Sequence, residues 1–143
     1  VWGVGSDSHA CVNAVEELML LEYGQRLSTR QRNVGAESAH RHVATALTLG
    51  AVQGGAQASG RAIAGLAIGQ QADFVVLDSA HLALQGLAPE DMLSAHVFAS
   101  HRTSAIAEVW RAGQARVTAG RHSLHDTAAR AFIAARAQLL QDQ

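Results

Sequence analysis

Val1-Trp2-Gly3-Val4-Gly5-Ser6-Asp7-Ser8-His9 opens the chain as an apolar run that breaks abruptly into small and polar residues. Val and Gly alternating around Trp2 predict a short buried strand, the glycines letting a neighbouring backbone come close. Ser6, Asp7 and Ser8 are all good helix N-caps. Behind them Val15, Leu18, Met19, Leu21 and Leu27 mark an apolar helical face. Glu16 and Glu17 sit near its start, where acids complement the helix dipole, and Arg26, Arg30 and Arg32 follow towards its end. Strand, turn and helix make one βα unit of an α/β protein. A lone unit of this kind leaves its strand uncovered. The expectation is therefore a segment from inside a larger protein, with residues before Val1 supplying the neighbouring strands. On its own such a segment is expected to aggregate and to be inactive.

Working outward, residues 28–38 are polar and predict a loop. A second helix is expected from Ala39 to Leu49 and on to Ala58, with Val43, Leu47 and Ala51 on one side, loosened at Gly54-Gly55 and stopped at Gly60. Asp73-Phe74-Val75-Val76-Leu77-Asp78 predicts a buried strand bounded by acids. Pro89-Glu90-Asp91 signals a helix start. Ala105–Trp110 and Ala115–Val117 predict two strands joined through Arg111-Ala112-Gly113-Gln114, with Gly113 supplying a positive φ. From Asp126 the chain is Ala-rich and helical, presenting Phe132, Ile133, Leu139 and Leu140 for docking. Nothing repeats at a fixed period.

Composition bounds the function. Hydrophobic residues make up 48% of the 143 and charged residues 16%, enough apolar content for a core. A net charge of −1 argues against nucleic-acid and membrane-surface partners, which call for a basic field. The single cysteine, Cys11, excludes an internal disulfide framework, fits a reducing compartment such as the cytoplasm, and is expected to be a buried structural thiol.

Asp7 is the main chemical candidate. A carboxylate on a strand-to-helix turn is held by rigid backbone at the mouth of a sheet or barrel, where it can bind a cation or take a proton from metal-activated water. An Asp before a helix is also a common cap, and both readings stand. His9 is a candidate ligand or contact for a substrate carboxylate, or a solvated side chain. Ser8 lacks a G-x-S-x-G elbow, which argues against a serine nucleophile. His40 and His42, read as helical, fall about 200° apart around the axis and cannot grip one ion. His81, His96, His101, His122 and His125 are scattered without metal-ligand spacing. The arginines at 26, 30 and 32 are most simply a solvated face and loop, with a substrate-carboxylate clamp as the alternative.

Taken together these segments resemble the carboxyl-terminal portion of the metal-dependent amidohydrolase superfamily. Gly5-Ser6-Asp7-Ser8-His9 is similar to the turn after the last barrel strand, whose Asp is a metal ligand. Gly65-Leu66-Ala67-Ile68-Gly69-Gln70-Gln71-Ala72-Asp73-Phe74-Val75-Val76-Leu77-Asp78 resembles the return into a small β-sandwich, and Val109–Val117 with Gly120-Arg121-His122 its closing hairpin. Within the superfamily the likeness is to the N-formimidoyl-L-glutamate deiminase family, through Ser6–His9, Val15-Glu16-Glu17-Leu18, Leu21–Leu27, Gly54–Ala58 and Gly120–His122.

The resemblance implies the end of a TIM-like (β/α)8 barrel in residues 1–60, with its last βα unit and following helix. It implies sandwich strands with a helical excursion in 61–122 and a carboxyl-terminal helix in 123–143. It further implies hydrolysis of N-formimidoyl-L-glutamate to N-formyl-L-glutamate and ammonia, in histidine breakdown, at one divalent metal, usually zinc. Asp7 would be both metal ligand and proton shuttle, with Ser8 and His9 at the substrate. The remaining ligands would precede Val1, since a whole barrel needs roughly 250 residues. The full-length protein would be a homodimer. A deaminase or chlorohydrolase of the same architecture acting on a heterocyclic base, and a non-catalytic fragment, stand as alternatives.

Overall fold

The apolar periodicity of three segments and the alternation of three others sort the chain into a helical layer and a small sheet. The computed structural model describes residues 1–100 and 103–141; His101 lies outside them. Helices α1 (Ala14–Thr29), α2 (Val43–Ser59) and α3 (Pro89–Phe98) pack against one another. Leu18 of α1, Val43, Ala44 and Leu47 of α2 and Val97 of α3 form the core, flanked by Val15, Ala36, Ala51, Leu93 and Phe98. Strands β1 (Phe74–Leu77), β2 (Ile106–Arg111), β3 (Gln114–Thr118) and β4 (Arg121–His122) make one antiparallel sheet in sequence order. Helix α4 (His125–Gln141) closes the described chain. No helix among the described residues is long and apolar enough to cross a membrane.

Several local expectations need correction. Residues 1–5 form no ladder and are exposed, because among the described residues no strand lies beside them. They run instead along α2, where Gly54 is indispensable: a Cβ there would overlap the Trp2 carbonyl, and one at Gly50 would come within 2.8 Å of the indole. Gly54 therefore does not loosen α2, which continues to Ser59 and ends where the amides of Gly60 and Arg61 return to the carbonyls of Gln57 and Ala56. Neither Ser6, Asp7 nor Ser8 caps a helix. Helix α1 starts at Ala14 with Asn13 as its cap, the Asn13 side chain accepting from Val15 N at 3.0 Å. Leu21 and Leu27 are exposed, while Leu18, Met19 and Glu22 form the buried face. Helix α2 begins at Val43, four residues later than expected, with His42 as its N-cap and His40 in the preceding loop.

The sheet follows its sequence signals more closely. Ala112 (φ 51°) and Gly113 (φ 72°) are both left-handed, the geometry of a two-residue type I′ turn between β2 and β3. Asp73, just before β1, anchors that turn: its carboxylate accepts from Ala112 N at 2.6 Å and from Gln71 Nε2 at 2.6 Å, and Gly113 N donates to the Ala72 carbonyl. These two bonds, Gln71's first, hold the Asp73 carboxyl below the usual carboxylate range. The Ala-Asp pair of the 65–78 segment thus serves the hairpin. Phe74 and Trp110 stack across β1 and β2 with centroids 5.6 Å apart. Contrary to expectation β1 is not buried, since Val75 and Val76 are exposed on this edge strand. In α4 no residue is buried, so Phe132, Ile133, Leu139 and Leu140 dock on nothing among the described residues.

Candidate functional site

The turn that carries the candidate residues is built by one short backbone bond, from His9 N to the Ser6 carbonyl at 2.7 Å. Asp7 sits in it at φ 40°, a region Asp enters more readily than most residues. Among the described residues the Asp7 carboxylate makes no hydrogen bond and no ion pair, so it is exposed and uncommitted. Ser8 is exposed beside it.

His9 is held. Its Nδ1 lies 2.7 Å from Glu17 Oε1 in the first turn of α1. That hydrogen bond, then the Glu17 charge, with smaller help from Glu16 and Asp7, raises the His9 proton affinity above its ordinary value. The structure thus brings Asp7, Ser8, His9 and Glu17 to one end of α1. Cys11, expected to be buried, is exposed next to this turn, and the Glu16 carboxylate, an acceptor for the thiol S–H, is the main influence pushing that thiol up.

Glu22 is a second feature that the residue pattern understates. It is 1% exposed, and its carboxylate accepts from Arg26 Nε at 2.6 Å, Val34 N at 3.1 Å and Gly35 N at 2.8 Å. Arg26 is therefore no solvated surface residue: it pairs with Glu22 and lies over the rings of Tyr23 and Phe98. The available signal was the i,i+4 spacing of Glu22 and Arg26. Together they pin the 33–36 loop against α1, forming one wall of a groove of about 770 Å³ that Trp2–Gly5, Glu17 and Leu47 also line. A second groove, of about 680 Å³, separates α1 and α3 from the sheet and is walled by Leu18, Phe74, Val97 and Trp110. Asp7, Ser8 and His9 line neither groove.

The other histidines stay apart. His42 reaches Asp91 of α3 at 3.8 Å and His40 lies in the loop before it. Because neither is helical, the angular argument against them does not apply; distance decides instead. Among the described residues no three of His, Cys, Asp and Glu converge as an ion site, at this pair or at Asp7. His96 is buried beside Ser100, and burial, with the nearby His81, depresses its proton affinity.

No family model matches the sequence. Over 138 residues the chain is 39% identical to the formimidoylglutamate deiminase of Pseudomonas aeruginosa, a match that covers 96% of this chain and 30% of that protein. The chain is similar to formimidoylglutamate deiminase. The crystal structure of an amidohydrolase from Brucella melitensis superposes with a TM-score of 0.81 at 40% identity, again over 96% of this chain and 30% of that one. The deiminase likeness read from the sequence thus stands, and with it the mixed α/β class. This chain spans under a third of the length of either relative.

Proposed function

We propose that this chain is the carboxyl-terminal part of a metal-dependent deiminase that hydrolyses N-formimidoyl-L-glutamate to N-formyl-L-glutamate and ammonia. Residues 1–60 would end its catalytic barrel, 61–122 complete a small β-sandwich and 123–143 form a closing helix. The 39% identity to a formimidoylglutamate deiminase carries the reading. The uncommitted Asp7 carboxylate on its left-handed turn supports it, because a cap or structural ion pair would have engaged those oxygens.

One carboxylate fits one position of a coordination shell. The described residues supply no further converging donors, so the rest of the shell would come from other parts of the enzyme. A divalent ion there, zinc in this reading, would supply Lewis-acid activation of water. Asp7 would be one of the residues holding that ion, and its carboxylate would take the proton released as water adds to the formimidoyl carbon and hand it to the leaving nitrogen, which departs as ammonia. Ser8 and His9, exposed on the same turn, would contact the substrate.

The test is ammonia release by the full-length protein. Wild type should deiminate N-formimidoyl-L-glutamate and leave guanine, cytosine and adenosine analogues untouched. Asp7→Asn should cut turnover by about 10³-fold or more with the fold intact by circular dichroism. Undiminished turnover in Asp7→Asn would remove Asp7 from the mechanism, and activity on the heterocyclic bases alone would replace the substrate.

A further inference from the structure

Among the described residues one side-chain bond fastens the turn that bears Asp7 to α1, between His9 Nδ1 and Glu17 Oε1 at 2.7 Å. The two partners are unequal: the His9 side chain is 53% exposed and that of Glu17 13%. Glu17 is also the better anchored, standing in the first turn of a 16-residue helix whose cap is satisfied. A carboxylate only accepts, so Nδ1 carries the hydrogen whether the ring is neutral or charged. Among the described residues Nε2 has no partner and is the ring nitrogen left for a ligand. A neutral ring offers Nε2 as an acceptor to a substrate N–H, and a charged ring offers it as a donor to a substrate carboxylate.

We infer that Glu17 is a positioning residue for the reaction: by accepting the Nδ1–H of His9 it fixes the ring's tautomer and orientation and presents Nε2 to the substrate beside Asp7. The inference rests on the deiminase reading of the Asp7 turn. Its geometric content, the tie from Glu17 to Nδ1, can be read without any substrate. A carboxylate that orients an imidazole through its second nitrogen is a general device for setting which nitrogen does the work. Glu17 would act only through His9, so its effect must disappear when His9 is removed.

The experiment uses the full-length enzyme with Glu17→Ala, Glu17→Gln, His9→Ala and the double variant, and Glu16→Ala as a control for the loss of one first-turn acid. Glu17→Ala should raise KM for N-formimidoyl-L-glutamate by about 10-fold, the worth of one charge-assisted hydrogen bond, with kcat within about threefold of wild type. Glu17→Gln should restore most of the loss, because its amide oxygen still accepts from Nδ1. Glu16→Ala should leave KM unchanged. In the His9→Ala background Glu17→Ala should add nothing.

Selective ¹⁵N labelling of histidine checks the tie directly. The Nδ1–H tautomer of His9, assigned by its disappearance in His9→Ala, should persist in wild type and Glu17→Gln and be lost in Glu17→Ala. A KM effect that survives in the His9→Ala background, no KM effect at all, or an unchanged tautomer in Glu17→Ala overturns the proposal. Absence of ammonia release by wild type overturns the deiminase reading instead, and the labelling result then decides Glu17's hold on His9 by itself.

Discussion

Removing the Glu22 carboxylate should detach the 33–36 loop from α1. Three donors converge on it, from Arg26 at 2.6 Å, Gly35 at 2.8 Å and Val34 at 3.1 Å. In Glu22→Ala the two backbone amides lose a charged acceptor in a place that water reaches poorly, at about 1.5 kcal/mol or more apiece. Arg26 is 31% exposed at its side chain and recovers much of its share by turning to solvent, so its part is held to under about 1 kcal/mol. The sum is about 3–4 kcal/mol, at the lower end of what breaking a buried ion pair costs. Hydrogen–deuterium exchange followed by mass spectrometry reads the local share. Opening the loop should become about 3 kcal/mol easier, so protection over residues 33–36 should fall on the order of 100-fold. Glu22→Gln, with one good acceptor oxygen and no charge, should lie between. Unchanged protection across 33–36 in Glu22→Ala would refute the reasoning, because the loop would then owe its position to Leu47 and the α2 packing alone.

Gly54→Ala should push Trp2 off α2, since the added methyl overlaps the Trp2 carbonyl; in a Trp110→Phe background, intrinsic fluorescence should shift to the red, and an unshifted spectrum would count against this seat. Ala112→Asn should raise the thermal midpoint by the equivalent of about 0.5–1 kcal/mol, because Asn accepts the left-handed φ of 51° that Ala resists. The two perturbed histidines should titrate on opposite sides of 6.5. His96, whose proton affinity burial depresses, favours folding above its unfolded pKa, and that contribution is lost as pH falls from 6.5 through its lower folded pKa. His9, raised by Glu17, favours folding below 6.5 and loses that contribution as pH climbs through its folded pKa. NMR titration of the two rings should show this order, and a His9 midpoint at or below that of His96 would contradict the Glu17 contact.

What was legible in the sequence is what short-range chemistry decides. The β2–β3 hairpin came through because Ala112-Gly113 sits between two alternating runs and a two-residue turn sets its own register. Pro89 before two acids located the start of α3 in the same way. Errors gathered where the deciding partner is distant. Val1–Gly5 has strand composition, yet a strand requires a neighbour, and within this chain the segment meets the glycine face of α2 instead. The start of α1 was misplaced because Ser6, Asp7 and Ser8 all have capping side chains, and only the fold shows that Asn13 does the capping.

That misplacement bears on chemistry. With the helix N-terminus satisfied by Asn13, the Asp7 carboxylate is released from the capping duty that residue type alone would assign it. Glu17 shows the converse: as a first-turn acid it looks like an ordinary dipole partner, and its contact with His9 spans eight residues that no helical periodicity connects. Residue type thus marked Asp7 as the candidate carboxylate, but the contact between Glu17 and His9 emerges only once the loop from Ser6 to Asn13 is folded back onto α1.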